Sequence, residues 1–262
     1  RNEMIYIDWN IKCYCDIKQI VSFLSEQADK IQCIIALQEV MPERADYIMQ
    51  QLGDNYSISY SVDYRKPGAF DTDNRKLGVM ILVSKDMEIM DTNVFERCLF
   101  PERTLYATIK NGDKIVKVVT LHSITGVSFK MGKAVQFRSF AESIKAYAPN
   151  IVSLDANEPQ KDHYNISRME FFDQGDSGKG AKLFFDELAE LRLIDAYSIG
   201  YDAANYIEGE PLTVSHILPN GTKRRYDFVF LNGEFNVRDV NYLYDESCKA
   251  SSDHAMIKVE IE

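Results

Sequence analysis

Apolar runs of strand length recur from one end of this 262-residue chain to the other, and most of them meet an Asp, Glu, Asn or His at one end. Residues 4–11 carry Trp9-Asn10, and residues 33–37 lead into Gln38-Glu39. Residues 114–121 lead into His122, and residues 151–154 into Asp155-Ala156-Asn157. The run 224–231 holds Asp227 near its start, and the closing run 256–261 follows Ser252-Asp253-His254. Segments with helical spacing lie between these runs without a linker-like gap. That alternation predicts one α/β domain over residues 1–262, with predominantly antiparallel hairpins and helices outside. Loops held by such a scaffold are where chemistry usually sits.

In chain order, Asp16 is placed to cap a helix from 17 to about 29, and Pro42-Glu43 opens a second helix to about 52. Residues 56–64 alternate as a strand, 65–76 read as a loop, and 77–83 as a strong strand. Two more strands are expected at 86–95 and 105–109, and Asn111-Gly112 is a two-residue hairpin signal into 114–121. A helix follows over 130–147. The glycine-rich stretch 176–182 lacks the spacing of a phosphate-binding loop, so it reads as a flexible loop before a helix at 183–191. Residues 197–222 read mostly as loop, and 236–244 as the hairpin partner of 224–231.

Charge and cysteine usage narrow the classes. A net charge of −10 opposes indiscriminate coating of nucleic acid, while leaving room for a local basic patch. Five cysteines without a Cys-x-x-Cys pair suggest reduced structural thiols, not a disulfide framework or a zinc ribbon. No apolar run approaches the roughly 20 residues of a membrane span, so no stable membrane insertion is expected. The opening residues show no signal-peptide core, giving a cytoplasmic expectation, and the chain is expected to be a monomer. Because the chain starts at Arg1, export through an upstream segment stays open.

Collected, the strand-end residues are Asn10, Glu39, His122, Asp155, Asn157, Asp227, Asp253 and His254. Carboxylates with amide support form an oxygen-rich environment suited to hard Mg²⁺ or Mn²⁺. The lack of closely spaced His and Cys argues against a dedicated zinc site. Two imidazoles beside such a cation would polarise or protonate phosphate oxygens. The combination describes metal-assisted phosphoester hydrolysis.

The ordered set Trp9-Asn10, Gln38-Glu39, His122, Leu154-Asp-Ala-Asn157, Tyr226-Asp227 and Ser252-Asp-His254 resembles the endonuclease/exonuclease/phosphatase superfamily, which includes deoxyribonuclease I and the exonuclease III type abasic-site endonucleases. The resemblance covers nearly the whole chain. It implies a four-layer α/β/β/α sandwich of two packed mixed β-sheets flanked by helices, with a divalent-metal phosphoesterase site at one edge. It also implies roles. Glu39 matches the main metal ligand, with Asn10 as its polar partner and Asp253 as a further metal contact. Asp155 matches the carboxylate that orients or deprotonates the attacking water, and Asn157 the group that holds that water or the phosphate. His254 matches the histidine at the scissile phosphate, oriented by Asp227, and His122 a second phosphate-facing histidine. Arg103 matches an arginine upstream of it and is expected to contact the substrate. Lys12, Leu154 and His122-Ser123 depart from the abasic-site branch and argue against that particular activity.

Three functions compete on these grounds. The first is a nuclease that cuts DNA or RNA, with basic and aromatic loop residues, Asn74, Arg75 and Arg225 among them, as substrate contacts. Such charge triplets are also common on solvated surfaces. The second is the same chemistry on a small or lipid-linked phosphoester, favoured by the acidic net charge. The third is a binding protein that lost catalysis, which the filled core positions oppose.

Overall fold

The computed structural model describes residues 3–28, 31–173 and 177–262. Its strands are β1 (Met4–Asn10), β2 (Gln32–Val40), β3 (Tyr56–Tyr60), β4 (Gly78–Ser84), β5 (Glu88–Asn93), β6 (Thr104–Asn111), β7 (Lys114–His122), β8 (Ile151–Asp155), β9 (Ile194–Asp195), β10 (His216–Ile217), β11 (Lys223–Arg224), β12 (Asp227–Leu231), β13 (Val237–Leu243) and β14 (Met256–Ile261). The longer helices are α1 (Ile17–Ala28), α2 (Pro42–Leu52), α5 (Met131–Tyr147) and α6 (Ser177–Glu190); α3 (Ser61–Tyr64), α4 (Gly126–Phe129) and α7 (Tyr244–Lys249) are short.

Two six-stranded sheets, ordered β13-β14-β1-β2-β4-β3 and β5-β6-β7-β8-β12-β9, pack face to face. Three apolar clusters show the layering. One joins α1 and α2 to the outer face of the first sheet, the second lies between the sheets, and the third joins α5 and α6 to the second sheet. This is the four-layer α/β/β/α sandwich. Strand alternation sorts β1 between layers: Ile5, Ile7 and Trp9 face the helices, while Met4 and Tyr6 face the other sheet. Central strands covered on both faces, such as β1, β8 and β12, are buried along their whole lengths, and the polar residues they carry, Asp8, Asn10, Ser153, Asp155 and Asp227, are buried with them.

The topology explains why polar residues gather at strand ends. Among the described residues only β1/β2 and β7/β8 pair in parallel, and their C-terminal ends point to the same edge of the sandwich. The antiparallel neighbours β14 and β12 start at that edge. Asp155 stands opposite both His122 and Asp227 in register. Thus C-terminal ends of parallel strands and N-terminal starts of antiparallel ones converge.

Several sequence-based expectations need correction. Residues 236–244 do not pair with β12. Instead β13 adds to β14 in the first sheet, while β12, buried along its length, lies between β8 and β9. The strand expected over 56–64 stops at Tyr60. There Ser61 Oγ donates to Glu102 O and accepts from Val79 N, turning the chain into α3. Gly78 faces this turn, where a Cβ would lie 2.6 Å from the Tyr60 ring and 2.7 Å from Val62. The described part of the expected glycine-rich loop, from Ser177, is the first part of α6. Asp29 and Asp176 lie outside the described residues. Asp16 does cap α1, its Oδ1 accepting from Lys18 N and Gln19 N.

Arg225, expected as a substrate contact, is corrected as well. It is fully buried, with its guanidinium pairing Asp162 and Asp195 at 2.8 and 2.7 Å. The fork is consumed inside the protein, where it ties the loop after β8 to β9. Arg225→Met would strand two buried carboxylates, and about 3–5 kcal/mol of folding stability should be lost in a urea titration. A loss below about 1 kcal/mol, typical of an exposed pair, would contradict this structural role.

Candidate active site

Between the sheets, the core changes from apolar to polar toward the converging strand ends. Tyr6 bonds Ser153 across the sheets at 2.8 Å. One step on, Gln38 Nε2 donates to Asp8 Oδ1 at 2.7 Å and to Thr120 at 3.0 Å. At the edge, Asn10 Nδ2 donates to Glu39 Oε1 at 3.0 Å and to Asp155 Oδ2 at 2.8 Å. Tyr6, Asp8 and Asn10 share one face of β1 because they are two residues apart. Asp8 Oδ2 has no partner among the described residues, and burial together with nearby Asp227 holds this carboxyl well above the usual range.

Glu39 reaches this face through a backbone irregularity. Alternation in β2 points Gln38 between the sheets and would send Glu39 toward the helices. The β2/β4 register shifts between Leu37 and Val40, and Glu39 adopts a left-handed φ of 57°. This bulge turns the carboxylate back toward Asn10, and Cys13 N donates to its second oxygen at 3.0 Å. The shift has no signature in the letters of β2.

The two imidazoles are prepared differently. Arg103 donates to His122 Nδ1 at 2.9 Å, and a guanidinium can only donate, so Nδ1 is the acceptor and Nε2 carries the hydrogen. That Nε2 lies 3.5 Å from Asp155 Oδ2 and 3.7 Å from Glu39 Oε1. Burial and the adjacent guanidinium push His122 down to about 4, leaving a neutral donor at pH 7. His254 Nδ1 bonds Asp227 Oδ2 at 2.8 Å, while Nε2 lies 3.9 Å from Asp155 Oδ2. Burial disfavours its charge, but Asp227 and Asp155 outweigh that and raise His254 well above its ordinary value. Burial raises Asp227 to about 6, with His254 pulling the other way. At Asp155 and Glu39 burial opposes ionisation, yet the imidazoles and the Asn10 amide hold both below the usual carboxylate range.

Backbone contacts pin the rest. Trp9 Nε1 donates to His254 O at 2.9 Å, and Ser252 Oγ donates to Asn10 O at 2.6 Å. Asn157 donates to Ser123 O, and its own N–H bonds Asp155 Oδ1. Buried Lys133 holds Asn157 O and Glu158 Oε1, each at 2.8 Å.

Glu39, His122, Asp155, Asp227 and His254 therefore come together, with Asn10 bridging two carboxylates. Asp253 lies beside His216 and His254, apart from the Glu39, His122 and Asp155 group. Arg103, expected as a substrate contact, is instead buried behind His122, with its second nitrogen spent on Asn74. Arg75 pairs with Glu102 and lies over Phe100. Sequence reasoning missed Asp8, Lys133, Ser215 and His216. Of these, Asp8 had a signal, its i, i+2 relation to Asn10 on a strand. The donor set fits a hard divalent cation: Glu39 and Asp155 offer carboxylate oxygens, and His122 presents a hydrogen, not a lone pair.

No protein-family profile and no curated protein matches the sequence. Solved structures do match in fold. An AP endonuclease from Archaeoglobus fulgidus superposes with a TM-score of 0.70 at 13% identity over 99% of each chain. TDP2 of D. rerio, solved with a single-strand DNA product, gives 0.64 at 15% identity over 100% of each chain. An endonuclease/exonuclease/phosphatase protein from Bacteroides vulgatus gives 0.62 at 16% identity, covering 100% of this chain and 99% of that one.

Proposed function

We propose that this chain, built on the endonuclease/exonuclease/phosphatase fold, is a divalent-metal-dependent phosphodiesterase that hydrolyses the backbone of DNA or RNA. The observation that carries the reading is the convergence of two carboxylates, Glu39 and Asp155, bridged by the Asn10 amide, with two imidazoles whose Nε2 atoms lie 3.5 Å (His122) and 3.9 Å (His254) from Asp155 Oδ2. A phosphodiester needs a base for water and hydrogen-bond donors for the charge that builds on oxygen. The TDP2 neighbour bound to a single-strand DNA product supports nucleic acid as the substrate class.

In this reading Asp155 orients the attacking water and accepts its proton, and Asn157 helps to seat the phosphate. His122 Nε2–H donates to a non-bridging oxygen, and Arg103 keeps that tautomer in place. His254, held protonated by Asp227, donates to the oxygen on which charge develops. Mg²⁺ or Mn²⁺ held by Glu39 beside Asp155 would supply charge neutralisation at the phosphate. Asn10 spaces the two carboxylates.

A second reading, the same chemistry on a small or lipid-linked phosphodiester, is favoured by the net charge of −10. Single-stranded DNA, duplex DNA, RNA, bis(p-nitrophenyl) phosphate and p-nitrophenyl phosphate, assayed side by side with Mg²⁺, separate the two. Oligonucleotide cleavage that weakens as salt rises is expected. Turnover of small diesters without any cleavage of oligonucleotides would shift the assignment to the second reading. EDTA should abolish activity and Mg²⁺ or Mn²⁺ restore it; full activity in chelator would rule out the metal.

A further inference from the structure

We propose that His216, a residue outside the motif set, is a positioning residue that fixes the ring plane of His254; its kinetic consequence rests on the hydrolytic reading above. The His216 ring stacks on the His254 ring with centroids 4.3 Å apart and planes 20° from parallel. Its Nδ1 lies 2.8 Å from the carbonyl oxygen of Asp253, an acceptor only, so Nδ1 carries the hydrogen and donates. One side chain thus holds both the backbone before His254 and the face of its imidazole. Asp227 fixes His254 at Nδ1, in the ring plane, and leaves the face of the ring to other contacts. The face contact from His216 opposes tilting of the ring out of that plane and keeps Nε2 directed at Asp155.

The anchor beneath His216 ties the two halves of the dyad together. Ser215 O accepts from Ala255 N at 2.7 Å, and Ser215 Oγ accepts from Tyr226 N and Asp227 N at 2.8 and 3.2 Å. His216 also bridges His254 through the backbone, and the Tyr226 ring runs nearly parallel to it at 6.1 Å. Residues 215 and 216 therefore reach the strand start that carries Asp227 and the loop that carries His254. His216, Asp253 and His254 also form a cluster of potential metal ligands. The stack weighs against a shared cation, because nitrogen lone pairs on near-parallel rings do not converge on one point.

His216→Phe keeps a stacking ring and loses the nitrogen; His216→Gln keeps a donor and loses the ring. Each is compared with His216→Ala for kcat and KM on bis(p-nitrophenyl) phosphate with Mg²⁺. In parallel, NMR of the metal-free protein follows the His254 Nδ1 proton, a readout independent of turnover, and thermal unfolding checks folding. Loss of a supporting contact of this kind typically costs about 10- to 100-fold, so Ala and Gln should lose about that much kcat with KM within about twofold. Phe should return kcat to within about threefold of wild type and keep the sharp Nδ1 signal that Ala and Gln broaden. Rescue by Gln and not by Phe, failure of both, or an unchanged signal and kcat in Ala would each overturn the assignment. If Ala does not fold, the ranking of Phe against Gln decides alone. A wild type with no hydrolysis would sink the functional reading while the NMR arm still tests the stack.

Discussion

Asp155→Asn should lower kcat for phosphodiester hydrolysis by about 10³-fold with little change in KM, because it deletes the proton acceptor while preserving shape. The side chain is fully buried, and its oxygens are already committed to useful geometry. Oδ2 takes the Asn10 amide at 2.8 Å and faces both imidazoles, and Oδ1 takes the Asn157 N–H at 3.0 Å. Burial resists its charge, but His254 above all, with the Asn10 amide and the Asn157 N–H, outweighs that resistance and holds its pKa below the usual carboxylate range. A group with a depressed folded pKa contributes stability above its unfolded value and loses it as pH falls through the folded value. Wild type should therefore lose part of its stability below about pH 4, where an unfolded aspartate titrates, and the Asn variant should lose less there. The measurements are kcat at saturating substrate and urea unfolding across pH. Activity of the variant within about tenfold of wild type would remove Asp155 from the chemistry.

His254→Gln should be nearly as costly, about 10²- to 10⁴-fold in kcat, since Gln retains a donor but cannot carry the charge. The pH profile gives the sharper test. Asp227 and Asp155 raise His254 above its ordinary value, so its stabilising charge is complete below the unfolded value and is lost as pH climbs through the raised folded value. Activity that needs the imidazolium should persist through neutral pH and decline only well above 6.5. Asp227, raised by burial to about 6, must be ionised to hold it, which places the acid limb near that pH. In Asp227→Asn, burial acts on His254 with one fewer carboxylate against it, and the alkaline limb should move to lower pH. An alkaline limb that stays in place would show that Asp227 does not govern His254.

How much of this was legible in the letters depends on the range of each interaction. Glu39, His122, Asp155 and His254 stood out because an apolar run interrupted by a charged residue is visible within about ten positions. The four layers came from the resemblance, as periodicity alone does not stack two sheets. The misplacement of 236–244 has a clear cause: hairpin proximity along the chain favoured β12 as its partner, whereas β13 in fact lies on β14. Arg225 read as a surface cation because its two carboxylates, Asp162 and Asp195, lie 63 and 30 residues away. His216 had no pattern of its own, and its meaning appears only beside His254.

The sequence by itself determined most of the elements, most of the interior faces of the helices and strands, and the types of residue delivered to one edge, because alternation and burial are properties of neighbouring letters. Tertiary structure alone decided what those residues do. Asn10 meets Asp155 across 145 positions and Trp9 meets His254 across 245, while a bulge turns Glu39 inward and Arg103 selects the tautomer of His122. The physical reason is that protonation state, tautomer and ring orientation are set by the field and contacts of the partners. Those partners are brought together only when the two sheets pack.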